Sequence, residues 1–293
     1  MSVGDRLNKH AVRCLVFLLI LLNSTFVWAD LSFDQDNDCD VDGVDLFILI
    51  AASGNNLQEF ADEFGTIDAC CSFNDVGTPV DGYPNWQERT MIVFTNMVRM
   101  APIEYRDTYM SDYYPPAGGI LGLYPAVVPL YWNYELNQAA RFHAEDMALN
   151  CGLQHISCDG TEWYDRIRNF YPYSGALGEN IAYGPAMPWE TVNLFLCDGN
   201  GSVCAIDHDG QDGHRRNIMQ SAFKEIGTGY AQRYWVQDFG GRNPEVQPPV
   251  VSASHAFLEN GLTSFLLNYF DSSGAAPQEI ILVLDDVQYT LDL

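Results

Sequence analysis

Apolar residues return at three- and four-residue steps in two central stretches of the chain. In "NYELNQAARFHAEDMALN" (133–150), Leu136, Ala140, His143 and Met147 fall on one face of a helix. In "ERTMIVFTNMVRM" (88–100), Ile92, Thr95, Met97 and Val98 recur in the same way. Further on the period shortens. "EIGTGYAQRYWVQDF" (225–239) predicts two strands around a short turn, and "FLLNYF" and "IILVLDDVQYTL" are extended segments. Helices and strands mixed without a βαβ rhythm predict an α+β fold, not a doubly wound sheet.

The same patterning divides the chain. Residues 1–29 read as a signal peptide: Arg6, Lys9, His10 and Arg13 precede the apolar run "CLVFLLILL" (14–22), and "VWA" ending at Ala29 has the shape of a cleavage site. A retained N-terminal anchor is the other reading. The run is short for a transmembrane span, and no later stretch is long enough, so no span is expected after cleavage. An aspartate-rich module follows at 30–73, a Gly/Pro/Asp-rich linker at 74–85, the main body at 86–241 and a small β-rich module at 246–293. That tail has few strands and is expected to lean on the body.

Charge narrows the partners. The chain carries 39 acidic and 14 basic residues, a net −25. Loss of residues 1–29 leaves 38 acids against 11 bases, a net −27. Such a field disfavours nucleic acid and favours cations. An aromatic content of 13% supports a packed core and excludes a disordered acidic tail. Cysteine usage fits export to an oxidising compartment: Cys151 with Cys158 and Cys197 with Cys204 close short loops as candidate disulfides. Cys39 can join Cys70 or Cys71, which leaves an odd thiol.

In "FDQDNDCDVDGVDLFILIAA" (33–52), Asp34, Asp36, Asp38, Asp40, Asp42 and Asp45 stand at positions 1, 3, 5, 7, 9 and 12 of a calcium loop. The seventh donates its backbone carbonyl, and dense carboxylates suit calcium better than zinc. Val41 supplies the apolar residue at position 8. The segment resembles a dockerin-type calcium repeat, although Cys39 stands where glycine is usual and a single loop is present. A solvated acidic linker is the alternative.

Four phrases occur in order in the body: "CGLQHIS", "LGENIAYG", "GHRRNIMQSAFKEIGTGYA" and "YWVQDFG". Together they resemble the CAP superfamily (cysteine-rich secretory, antigen 5 and pathogenesis-related proteins) in its bacterial SCP-like form, over about residues 88–240. The resemblance implies a CAP-type α-β-α sandwich, here with a small N-terminal calcium-loop module and a small C-terminal β module. It also implies a cleft walled by His155, Glu179 and His214, with His155 and His214 as ligands for zinc or another divalent cation. The family's second glutamate has no counterpart at the usual spacing, because Glu190 follows Trp189 directly.

Two neutral imidazoles bind zinc well, and a carboxylate can ligate, orient a histidine or hold a metal-bound water. Glu179 is therefore the candidate general base of a metal-dependent hydrolase. The competing expectations are a non-catalytic secreted or cell-surface protein binding a lipid, glycan, peptide or protein partner, and a structural component with a vestigial cleft. His143, on the apolar helix face, is expected in the core. Asp165 and Arg166 are expected to form an ion pair or cap. His208 lies in "AIDHDGQDGH" (205–214), expected to be a solvated acidic loop, the alternative being that it adds ligands to the cleft or binds its own cation. No Ser–His relay, G-x-S-x-G elbow or phosphate-binding loop is present.

Overall fold

The computed structural model describes residues 14–20, 84–110, 119–199, 203–257, 263–284 and 287–291. The aspartate ladder and Cys39, Cys70 and Cys71 lie outside them. The elements in chain order are β1 (Cys14–Ile20), α1 (Trp86–Met100), α2 (Pro102–Tyr109), β2 (Tyr131–Trp132) and α3 (Tyr134–Asp146), which runs into a π-turn at Met147–Cys151. They continue with α4 (Trp163–Phe170), β3 (Leu177–Tyr183), α5 (Pro188–Cys197), α6 (Gly213–Met219), β4 (Glu225–Ala231) and β5 (Tyr234–Gly240). The tail contributes β6 (Val250–Phe257), β7 (Thr263–Tyr269), β8 (Ile280–Leu284) and β9 (Val287–Leu291).

The central sheet has the order β2-β4-β5-β3, with β2 parallel to β4 and the other pairs antiparallel. One face receives α3. Leu136, Ala140, His143 and Met147 are fully buried there, as their spacing predicts. Close approach depends on two glycines of "EIGTGYA": a Cβ on Gly227 would overlap the backbone of Leu136 and Asn137, and one on Gly229 the backbone of Ala140 and Arg141. A Gly227→Ala chain should lose about 1–3 kcal/mol of stability, since backbone cannot give way as a side chain does. An unchanged urea midpoint would show that α3 does not bear on this strand.

The opposite face receives α1. Thr228 Oγ1 donates to the Glu88 carbonyl at 3.0 Å, and Gln237 Nε2 donates to Thr95 Oγ1 at 2.8 Å. Asn85 starts this helix with a capping box to Glu88. Apart from Arg89, every residue of α1 is buried, polar ones included. The cause is a second sheet, β1-β7-β6, on its far side. There Thr90 Oγ1 and Ser254 Oγ lie 2.7 Å apart, and Asn96 Nδ2 donates to Ser252 Oγ at 3.1 Å. Leu266 of β7 joins the main core. The amphipathic reading of 88–100 missed this all-round burial, because hydrogen-bonded Thr and Asn read as exposed in a pattern.

Candidate functional site

The phrase "GEN" lies on β3, the outer strand of the central sheet. Strand alternation sends Glu179 and Ile181 to the α3 side, where Ile181 packs with Ala140, Ala144 and Val236. Asn180 points to the other side and meets Gln237. The free edge of β3 is covered by α6: Asn217 Nδ2 donates to the Glu179 carbonyl at 3.0 Å and to Asn180 Oδ1 at 2.9 Å. Asn180 Nδ2 in turn donates to the His214 carbonyl at 3.2 Å. One strand thereby fixes both the acid and the helix that carries His214.

Each Glu179 carboxylate oxygen is taken. Oε1 lies 2.7 Å from His155 Nδ1, and Oε2 accepts from Arg166. The Arg166 side chain is 2% exposed and also donates to the His155 carbonyl at 2.9 Å and to Ser157 Oγ at 3.0 Å. The expected Asp165–Arg166 pair is therefore not formed. Asp165 lies 3.9 Å from Arg168 instead, because residues 165 and 166 leave α4 about 100° apart and only Arg166 turns inward. The loop bearing His155 is tethered by the Cys151–Cys158 disulfide.

His214 has a partner that sequence reasoning left unassigned. Its Nδ1 lies 2.7 Å from Asp198 Oδ1, and its backbone N–H donates to Asp198 Oδ2 at 2.7 Å. Asp198 is the C-cap of α5 in the left-handed conformation, at the mouth of the loop closed by Cys197–Cys204. Glu190 serves elsewhere, its carboxylate accepting from Met187 N–H at 3.2 Å at the start of α5.

The two histidine–carboxylate pairs face one cavity of about 550 Å³, lined by His155, Glu179, Asp198, His214, Arg216 and Asn217 among others. A smaller recess of about 410 Å³, with Trp163 and Leu177, shares His155 and Glu179. A neutral imidazole that gives its Nδ1–H to a carboxylate carries its lone pair on Nε2. Side-chain exposures of 47% for His155 and 33% for His214 keep those edges accessible, while Glu179 is 1% exposed. Among the described residues, one group of three ligand-type atoms lies within 4.8 Å: Asp146, Cys151 and Cys158. Its two cysteines are joined to each other, so it offers no thiolate.

His143 is buried as expected, with Nε2 at 2.9 Å from the Gln154 carbonyl. Burial pushes its pKa down to about 4, which keeps the ring neutral. The acidic stretch around His208 departs from expectation, for Asp207 and Asp212 are buried. Asp207 accepts from the backbone N–H groups of Leu121 and Leu123 at 2.8 and 2.9 Å and pairs with Arg215 at 2.7 Å. Asp212 accepts from Tyr124 and from His208 N–H. Burial alone would raise the Asp212 pKa, but these donors outweigh it and the net shift is downward. A count of charges could not show that backbone amides 80 and more positions away would reach these acids.

Residues 125–239 match the family model described as the cysteine-rich secretory protein family, CAP. The uncharacterised protein YkwD of Bacillus subtilis is 29% identical over 116 residues, 39% of this chain and 40% of that protein. YlbC of the same organism, named an uncharacterised membrane protein, is 27% identical over 114 residues, 38% of this chain and 28% of that one. The chain therefore spans less than half the length of these curated relatives. An extracellular SCP-domain protein of Bacillus anthracis superposes with a TM-score of 0.39 at 18% identity, covering 53% of this chain and 40% of that one. A cysteine-rich secretory protein of Staphylococcus aureus gives 0.34 at 13% identity, covering 58% and 44%. The family match and the four ordered motifs within it make residues 125–239 a CAP domain.

Proposed function

We propose that this is an exported CAP-domain protein whose cleft holds a divalent cation through Nε2 of His155 and of His214 and there binds an extracellular ligand or partner. The observation that carries the reading is the matched pair of contacts His155–Glu179 and His214–Asp198 on the wall of one cavity. A carboxylate on one ring nitrogen raises the basicity of the other and fixes its direction, as behind metal-ligating histidines. The donor set fits zinc, which would supply Lewis acidity at an open site. Export is supported by the leader-like first 29 residues and by two short-range disulfides. Cleavage after Ala29 would remove β1 and leave β7 at the edge of its sheet. No helix of the described residues is long and apolar enough to cross a membrane.

Binding has more support than hydrolysis. Glu179, the candidate general base, is buried with both oxygens committed to His155 and Arg166, so its role here is to orient His155. The aspartate ladder would add a separate calcium site by Asp34, Asp36, Asp38, Asp40, Asp42 and Asp45.

The test is a zinc titration by calorimetry on the mature chain, with calcium saturating so that the aspartates do not compete. Binding should fall at least tenfold when His155→Ala and His214→Ala are combined. Zinc binding that survives the double change, or none in the parent chain, overturns the cleft site. A calcium titration of the same chain should show one site that Asp34→Ala with Asp36→Ala removes; heat unaffected by those changes overturns the calcium loop.

A further inference from the structure

The third carboxyl of the site lies beneath it. On β5, Asp238 is the register partner of Glu179 on β3, and alternation sends both side chains to the α3 side. Asp238 is fully buried, and neither of its oxygens meets an N–H or O–H donor from any other group. Among the described residues the arginine beside them is Arg166, which spends its terminal nitrogens on Glu179, the His155 carbonyl and Ser157. Of the two histidines beside the pair, His155 turns its Nδ1 to Glu179, and His143 has given its Nε2 to Gln154 and is neutral. Two buried carboxyls therefore face one another with a single positive charge between them. Both would be acceptors only if ionised, and two acceptors need a proton to make a contact.

We propose that Asp238 is a positioning residue, a neutral carboxylic acid that donates its proton to Glu179 and so holds that carboxylate against His155 and Arg166. The proton stays on Asp238, Glu179 stays ionised, and Arg166 balances the one charge. Desolvation first, and the Glu179 charge second, push the Asp238 pKa well up, in accord with this geometry. The inference holds whether or not the cleft takes a cation, because it concerns the support of Glu179 and not the free edge of His155.

The test compares the full chain with Asp238→Asn, which keeps a donor in place but carries no titratable proton. In the parent, the folded state holds a proton that the unfolded chain releases above the ordinary carboxyl range. Its folding equilibrium should therefore weaken as pH rises above the ordinary carboxyl range, by up to tenfold per pH unit until the raised pKa is reached. The D238N chain lacks that loss, so its melting temperature should gain on the parent's as pH rises. A gap that is flat with pH, or that closes as pH rises, overturns the proposal, since it means an ordinary or an ionised Asp238. A second readout is the low-field proton resonance of His155 Nδ1–H. D238N should retain it and Asp238→Ala should lose it to exchange with water. Retention in a folded D238A chain overturns the positioning role; if D238A does not fold, the pH slope of D238N decides alone.

Discussion

Arg166→Met should destabilise the protein by about 3–5 kcal/mol, the range for a buried pair that loses one partner. The methionine fills most of the vacated volume, so the loss is one of charge and hydrogen bonds, not of packing. Glu179 would be left as a buried anion that has lost its cation, with His155 and the Asp238 carboxyl beside it. The carbonyl of His155 and the hydroxyl of Ser157 lose their donor at the same time. Arg166→Lys keeps the charge but reaches fewer of these oxygens, so it should recover part of the loss. Urea unfolding of the three chains measures this. A loss below about 1 kcal/mol for the methionine variant, the scale of an exposed ion pair, would mean that water reaches Glu179.

The parts of this site that were legible in the sequence are those encoded by local pattern. The helix face of Leu136, Ala140, His143 and Met147 follows from spacing, and its burial against the glycine strand follows from the missing side chains at 227 and 229. His155, Glu179 and His214, which the ordered motifs single out, line one cavity. What sequence could not show is which neighbour of each residue faces inward. Asp165 and Arg166 are adjacent, but only one reaches Glu179. Asp198 escaped notice because it stands at a helix end, 16 positions before the ring it orients and not at the spacing of the usual glutamate. Asp238 escaped because "YWVQDFG" sets two polar residues, Gln237 and Asp238, side by side, one on each face of the strand, without saying that both faces are covered. A polar residue in a strand ordinarily marks a wet face; here helices on both sides make every polar residue answer for its own partner.

Arg215 is the second such residue, and its loss should cost as much. In "GHRRNIM" the two arginines diverge, Arg216 to the cavity wall and Arg215 into the protein, where it is fully buried. Its guanidinium donates to the carbonyls of Leu196 and Cys197 at 2.7 and 3.1 Å, the C-terminal turn of α5, where a cation also meets the negative end of the helix. It reaches across to the Ala205 carbonyl at 2.8 Å and pairs with Asp207 at 2.7 Å. Asp207 in turn holds the backbone of Leu121 and Leu123. Through Asp207, one side chain thus ties together a helix end, the disulfide-closed loop and the segment at Leu121 and Leu123. Arg215→Met should remove about 3–5 kcal/mol by leaving Asp207 buried and unpaired. Asp207→Asn combined with it should return part of that loss, because the neutral amide no longer needs a cation; a double change that is as costly as the sum of the two singles would show that the pair does not interact. The effect should also reach the cleft, for the same α5 end presents Asp198 to His214. With zinc in the cleft as proposed, the affinity of the still-folded Arg215→Met chain for it should drop, because His214 is no longer held by Asp198, while Arg216→Met, whose side chain is half exposed, should leave stability within about 0.5 kcal/mol of the parent.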